Sequence, residues 1–247
     1  EMLSRFRTPA QQKKAKKENA YHMPRIGFFN DDQRDAIKGA EVYGSFKKGF
    51  VSGAATEDVV AKAILGSDEI VGYITPGQVV NYVEAHDNYN LNDLLLELNP
   101  GDNIETHIKR VQLAVIMNLF MQGIAFMQIG QEFLRTKLYP TGADGTLTWG
   151  DKERAMNSYN APDNVNQVNW RNVTYYKSTI EFIKKAVYLK TKTTLFSYPT
   201  FEEIREHVYI EEAYSGAGFV KFTIEDERKC EVIFNTYRKR LQKFELN

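Results

Sequence analysis

The chain has 247 residues, 43% of them hydrophobic, and its 32 basic side chains equal its 32 acidic ones in number. Such a chain is predicted to be a soluble globular protein with one large domain, or one large and one small. The balanced charge argues against nucleic acid or an anionic membrane as a partner, and no apolar run reaches the roughly 18 residues that span a bilayer. The single cysteine, Cys230, excludes an internal disulfide framework and most cysteine-based metal sites.

The first 20 residues are rich in lysine and lack the apolar centre of a signal peptide. Their KKAKK run (13–17) predicts a solvated face of a loop or helix rather than a nucleic-acid patch. Because the initiator methionine is missing and both ends are abrupt, we expect the chain to be a piece of a longer protein.

The first quarter of the chain predicts a strand, a helix, a loop and a second helix, over residues 26–29, 31–39, 44–53 and 56–66. Asn30, Asp31 or Asp32 is expected to cap the first helix, and Arg34 is expected to form a salt bridge with Asp35. Gly66 is expected to end the second helix, since glycine favours the position just after a helix.

A central stretch predicts the unit on which function depends. Residues 79–85 form an apolar run typical of a strand, and His86, Asp87 and Asn88 follow it before a leucine-rich helix resumes at Leu94. In such strand–loop–helix units the functional side chains lie in the loop after the strand. Most His-Asp pairs are structural, so the pair alone is a weak signal.

The rest of the chain predicts a buried helix, a strand covered on both faces, an irregular stretch and a further helix, over residues 105–122, 124–130, 139–170 and 175–192. After Pro199, short β-rich runs separated by turn residues predict an antiparallel meander. We therefore divide the chain into residues 1–194 and a smaller β domain over 195–247.

The fold class predicted from these elements is α/β. Three strand–loop–helix units at even spacing favour either a (β/α) barrel or a doubly wound sheet. Three strands are too few to close a barrel of eight, so the chain predicts only part of one.

Five sequence blocks, in this order, resemble the type I pullulanases, starch-debranching enzymes of the α-amylase superfamily. They are FFNDDQRDAIKG (28–39), KGFVSG (48–53), YVEAHDN (82–88), GQEFLRTK (130–137) and NSYNAPDNVNQVNW (157–170). The resemblance covers nearly the whole chain and implies its C-terminal portion: strands six to eight of a TIM-type (β/α)8 barrel, ending near Asn30, His86 and Glu132, then the start of an antiparallel β domain.

The same resemblance implies a retaining glycosidase, in which one carboxyl group is the nucleophile and a second is the acid/base. Neither of the family's motifs for these two groups occurs in the chain, so both are expected upstream, in the missing N-terminal half, and the isolated chain is expected to be inactive. Asp87 matches the third carboxylate, which stabilises the transition state by binding sugar hydroxyls. His86 and Asn88 complete that motif, and Tyr159 and Asp163 match a substrate-binding loop.

Other candidates have structural interpretations. Glu132, Arg135 and Lys137 are expected to form an internal ion-pair network, and Glu84 is expected to support the strand. Asn92 departs from the tryptophan that often stands there in the family, which leaves one stacking contact in doubt. No metal ligands are predicted and no cofactor is required, although a structural calcium ion remains an expectation from the resemblance.

Two functions remain open. The first is the C-terminal part of a debranching enzyme acting on pullulan, amylopectin, glycogen or limit dextrins. The second is a non-catalytic fragment that binds α-glucan or takes part in assembly. Neither the compartment nor the preferred glucan follows from the sequence.

Overall fold

The computed structural model describes residues 15–42, 45–70, 72–227 and 229–236. Most of the lysine-rich start and the last eleven residues lie outside this part. The strands are β1 Phe28–Phe29, β2 Gly39–Val42, β3 Ser45–Lys48, β4 Val79–Asn81, β5 Ile124–Ala125, β6 Val208–Glu212, β7 Phe219–Glu225 and β8 Lys229–Asn235. The helices are α1 Asp31–Lys38, α2 Glu57–Ile64, α3 Leu91–Leu98, α4 Ile104–Phe120, α5 Trp149–Met156, α6 Asp163–Asn166, α7 Asn172–Tyr175, α8 Lys177–Lys192 and α9 Phe201–His207.

A small parallel sheet, in the order β1-β4-β5, is at the centre of the larger part of the chain. Its two faces differ. Val79 and Asn81 point to one face and are fully buried, whereas the paired row Phe29, Val80 and Ile124 lies on the other. On that second face Phe29 is 50% exposed and Ile124 is 48% exposed. Parallel sheets are normally covered on both sides, so this face is unusually open.

Helix α1 follows β1 as predicted, and its cap is Asn30, one of the three residues expected there. The side chain of Asn30 accepts a hydrogen bond from Gln33 N at 3.3 Å, whereas Asp31 and Asp32 both pair with Lys17, at 3.0 and 2.6 Å. Asn30 is the residue just outside the first turn, where a side-chain oxygen reaches the free amides of the helix.

The loop expected over residues 44–53 is wrong for its first half, because β2 (39–42) and β3 (45–48) pair as antiparallel strands. Gly49, one of the glycines that suggested a loop, serves a close approach to Gly39. A Cβ atom on Gly49 would lie 2.4 Å from Gly39 N. Only glycine fits at that distance. Gly49 therefore argues against a strand in the sequence but makes the strand pairing possible in the structure.

The other long elements match their predictions within a few residues at α2, α4, α8 and the meander β6-β7-β8. Helix α3 begins at Leu91, three residues before its predicted start. The stacked rings of Phe120 and Phe196, with centroids 4.3 Å apart, join the two predicted domains within one core. The boundary at 194/195 therefore stays a prediction.

Two predictions fail in the second half. The strand expected over 124–130 is only two residues long, and Ile129 is 54% exposed, so the run is not covered on both sides. The stretch 139–170 is not irregular throughout, because it contains α5 and α6. Over the described ranges, no helix has the length and apolar character to cross a bilayer.

Candidate active-site loop

The loop between β4 and α3 carries the predicted site. His86 and Asp87 project into solvent with side chains 82% and 74% exposed, and His86 Nε2 lies 3.4 Å from Asp87 Oδ1. Asn88 has a φ of 63°, in the left-handed region that asparagine tolerates better than most residues. An imidazole and a carboxylate therefore stand side by side on a sharply turned backbone, open to an external ligand.

Three charged side chains on the protein side of the loop hold its backbone at Tyr89 and Leu91; Lys38 and Glu84 are buried and Glu41 is half-buried. Glu84 Oε2 accepts a hydrogen bond from Leu91 N at 2.7 Å, and Glu41 Oε1 accepts one from Tyr89 N at 2.9 Å. Lys38 Nζ donates to Tyr89 O at 3.2 Å. Burial raises the pKa of Glu84 to about 7 and lowers the pKa of Lys38. Side-chain hydrogen bonds thus hold the backbone of this loop, whereas most surface loops are more mobile.

Lys137 supports the exposed pair itself. It is only 2% exposed, and its Nζ donates to His86 O at 3.1 Å, to Asn88 O, and to Ser158 Oγ at 3.3 Å. Burial lowers the pKa of Lys137 to about 8, against the opposing effect of nearby carboxylates. Its backbone amide donates to Asp93 Oδ2 at 2.8 Å.

The two remaining predicted site residues lie in the segment 157–170. Tyr159 is 79% exposed and follows Ser158, so Lys137 brings Tyr159 into the same neighbourhood as His86 and Asn88. Asp163 is exposed at the start of α6, and no hydrogen bond among the described residues links it to the loop. The structure thus ties Tyr159 to the loop through Lys137 and leaves Asp163 separate.

The segment around Ser158 is itself ordered by side-chain bonds to the backbone. Asn166 Nδ2 donates to Ser158 O at 2.7 Å and to Ala161 O at 3.3 Å, and Arg135 Nη2 donates to Asn166 O. The predicted ion-pair network of Glu132, Arg135 and Lys137 is wrong. In the part of the chain that the structure describes, none of the three forms an ion pair, and the two cations bond to backbone carbonyls instead.

A second loop, over residues 141–148, is closed by one carboxylate. Asp151 accepts hydrogen bonds from Thr141 N at 3.0 Å and from Thr148 N at 2.8 Å, and from both threonine hydroxyls. Arg154 forms an ion pair with the same carboxylate. The two ends of the segment 141–148 are held together, and Trp149 beyond it is 57% exposed.

Sequence reasoning missed the supporting residues Lys38, Glu41 and Asp93. Each occupies an ordinary position in the sequence, and only the folded chain brings it below the loop. Asn92 is buried and its Oδ1 lies 2.8 Å from His107 Nε2, which gives both residues a structural partner.

A side-chain metal site would need several His, Cys, Asp or Glu side chains close together. Within the described ranges, no group of three or more His, Cys, Asp or Glu side chains could hold a metal ion. The structure therefore gives the expected calcium ion no side-chain site, and that ion remains an expectation.

Comparison with known proteins identifies relatives over most of the chain. No family model matches. The pullulanase of Bacillus subtilis is 32% identical over 202 residues, which is 80% of this chain and 26% of that protein. Pullulanase A of Streptococcus pneumoniae is 24% identical over 220 residues, 76% of this chain and 17% of that protein.

Solved structures agree. Paenibacillus barengoltzii pullulanase in complex with maltohexaose and α-cyclodextrin has a TM-score of 0.79 at 32% identity, over 92% of this chain and 34% of that one. The Anoxybacillus sp. LM18-11 pullulanase complexed with maltotetraose has a TM-score of 0.79 at 32% identity, over 94% and 32%. The chain thus spans about a third or less of the lengths of these relatives. In sequence and in fold, this chain is a homologue of the pullulanases, and it corresponds to one part of their length.

Proposed function

We propose that the chain is the C-terminal part of a glycoside hydrolase that cleaves α-1,6-glucosidic branch linkages in pullulan, amylopectin, glycogen or limit dextrins. The observation that carries the proposal is the exposed His86–Asp87 pair, held on a fixed loop in a homologue of the pullulanases. Relatives solved with maltotetraose and maltohexaose support an α-glucan as the ligand.

In this proposal Asp87 stabilises the transition state. Its carboxylate accepts hydrogen bonds from the 2- and 3-hydroxyls of the sugar at the cleaved bond, and these bonds strengthen as the ring takes on oxocarbenium character. His86 contacts the same sugar, Asn88 holds the turn, and Tyr159 and Asp163 line neighbouring subsites. We assign the nucleophile and the acid/base to residues outside the chain, because neither of the family's motifs for these groups occurs in it. In a retaining enzyme these two carboxyl groups lie about 5–5.5 Å apart.

The open face of the parallel sheet supports a partial barrel. Its three strands run parallel in the order in which they occur in the chain, with helices between them. Phe29, Ile124 and Phe126 leave apolar surface exposed on the side opposite the helices. In a closed (β/α)8 barrel the inner face of each strand is covered by the other strands. We propose that β1, β4 and β5 are barrel strands six to eight, and that upstream strands of the same enzyme cover this face.

The alternative is a non-catalytic α-glucan-binding or assembly fragment. The open apolar face favours association, since unpaired parallel edges and exposed apolar side chains promote it. In this alternative the loop binds glucan but performs no chemistry.

The test begins with release of reducing sugar from pullulan by the purified chain, compared with its Asp87→Asn variant. We expect no release by either. A chimera in which this chain replaces the matching segment of the Bacillus subtilis pullulanase is expected to cleave pullulan and to lose that activity with Asp87→Asn. Release by the chain alone, abolished in the variant, would instead place two catalytic carboxylates here, with Glu84 and Glu132 as candidates. A folded, inactive chimera that still binds maltotetraose would favour the alternative.

A further inference from the structure

Lys137 differs from a typical buried lysine in what its ammonium group contacts. All three acceptors of Nζ are a carbonyl or a hydroxyl oxygen, and within the described residues Lys137 belongs to no ion pair. An ammonium group has three protons to donate, so these three acceptors match its full capacity. Burying a charge is costly unless such bonds compensate.

Two of the three acceptors lie next to Asp87 in the sequence. His86 O and Asn88 O belong to the residues immediately before and after Asp87. One cation therefore fixes the backbone on both sides of the carboxylate, including the left-handed turn at Asn88. A single bond would leave the chain free to pivot about it, whereas two bonds that flank a residue restrict its direction.

The third acceptor joins this loop to another. Ser158 is 21 residues beyond Lys137 along the chain and precedes Tyr159, which is 79% exposed. Lys137 is itself anchored, because its amide donates to Asp93, which is fully buried on α3. The lysine therefore has a fixed base and connects two segments that carry exposed candidate ligand groups.

We infer that Lys137 is a positioning residue, which fixes the orientation of Asp87 and couples its loop to the loop that carries Tyr159. The inference deepens the proposed function and rests on it for the identity of the ligand. Lys137 does not touch substrate in this account. It acts through the backbone of residues 86–88 and through Ser158.

Lys190 provides a matched control within the same chain. Its Nζ donates to Met121 O at 2.9 Å, to Gly123 O at 2.8 Å and to Phe196 O. Burial lowers its pKa to about 8, as it does for Lys137. Lys190 is thus also a buried lysine with three acceptors, all of them carbonyl oxygens, but it lies on α8 and has no bond to the candidate site.

The experiment compares Lys137→Met with Lys190→Met in the 247-residue chain. Amide hydrogen exchange is measured over residues 84–91 and 157–161, and maltotetraose is titrated by calorimetry. Both variants are expected to lower the melting temperature. Only Lys137→Met is expected to speed exchange in both segments and to weaken maltotetraose binding by about tenfold, which corresponds to about 1.4 kcal/mol.

A double-mutant cycle with Asp87→Asn tests whether Lys137 affects maltotetraose binding through Asp87. If Lys137 acts by orienting Asp87, Lys137→Met is expected to weaken binding far less in the Asp87→Asn background than in the parent chain. Equal effects in both backgrounds, or equal effects of Lys190→Met and Lys137→Met on binding, would overturn the inference.

The outcomes separate this inference from the proposed function. If the parent chain does not bind maltotetraose but Lys137→Met speeds exchange in both segments, the glucan-site proposal fails while the positioning role stands. Unchanged exchange in the two segments overturns the positioning role whatever binds. Should Lys137→Met fail to fold, Ser158→Ala cuts only the link between the loops, and it is expected to speed exchange at residues 157–161 without affecting residues 86–88.

Discussion

The parallel and antiparallel sheets of this chain differ in how completely each is covered. Strands β1, β4 and β5 have two or three residues each, and Phe29 on their open face is 50% exposed. Strands β7 and β8 pair over seven residues, and Val220, Phe222 and Phe234 are fully buried. The antiparallel sheet carries charged side chains such as Lys221 and Glu231 on its outer face, whereas the open face of the parallel sheet is apolar.

The difference follows from where each sheet finds its partners. The antiparallel sheet pairs with its own neighbours in sequence, and helix α2 lies against it through Glu57, whose carboxylate accepts from Gly216 N at 3.0 Å and from Gly218 N at 2.8 Å. The parallel sheet is covered on one side by helices of this chain. On the other side Phe29 contacts the rings of Tyr82 and Phe126 but stays half exposed. We therefore expect substitutions in the covered regions to lower the free energy of unfolding more than substitutions on the open face of the parallel sheet.

The largest effect is expected at Phe222. Truncation to alanine removes a fully buried ring from the covered sheet and should lower the free energy of unfolding by about 3–5 kcal/mol. Urea denaturation measures the change, with Tyr209→Ala on the neighbouring strand as the control, because Tyr209 is 46% exposed. A cost for Phe222→Ala no greater than that of the control would contradict the comparison.

Lys190 lies between the two regions, since its acceptors include Gly123 beside β5 and Phe196 on the way to the antiparallel sheet. Burial lowers its folded-state pKa from 10.5 to about 8. Between these values the unfolded chain binds more protons, so the contribution of Lys190 to stability rises with pH, by up to about 3 kcal/mol at 1.36 kcal/mol per pKa unit. The stability of the parent chain minus that of Lys190→Met is expected to increase from pH 8 to 10.5. A flat difference would show that the ammonium stays charged in the fold.

Glu84 tests the region below the candidate site. Burial raises its folded-state pKa from 4.5 to about 7, so its contribution is fully present below pH 4.5 and is lost as the pH rises through 7. Relative to the neutral variant Glu84→Gln, the parent chain should lose about 2 kcal/mol of stability between pH 5.5 and 7. Guanidinium denaturation at the two pH values measures this. The prediction fails if both proteins respond identically to pH.

The smallest effect on stability is expected at Phe29. Replacement by serine on the open face should change the free energy of unfolding by no more than about 0.5 kcal/mol, whereas Phe28→Ser, one residue earlier and packed against the core, should destabilise clearly. Phe29→Ser should also reduce self-association in sedimentation velocity, because it removes exposed apolar surface. Equal destabilisation by the two serines would mean that both sides of the sheet are covered.

The sequence predicted the elements whose pattern is local. The meander and the long helices α4 and α8 follow from spacings within a few residues, and the structure confirms them. The antiparallel pair β2-β3 was missed because nearby glycines suggest a loop until the close approach of Gly49 to Gly39 is known. The strand at 124–130 was predicted too long because an apolar run indicates burial but does not say what covers it.

At the candidate site, the resemblance pointed to the exposed residues and to Lys137, but it did not show what Lys137 contacts. His86 and Asp87 occur together in one block and can be found by motif. Lys137 lies 51 residues from His86 and 44 from Asp93 along the chain, so no local pattern connects them. The predicted ion pairs were wrong because a list of charges does not show that backbone carbonyls are the nearer partners.

The carboxylate of Asp151 holds residues 141 and 148 together whatever lies between them. Thr148 and Asp151 also form the capping box of α5, so the start of that helix is fixed by residues outside the tip of the segment. For an engineer, the same feature marks the place where a foreign peptide could be inserted at the least risk to folding.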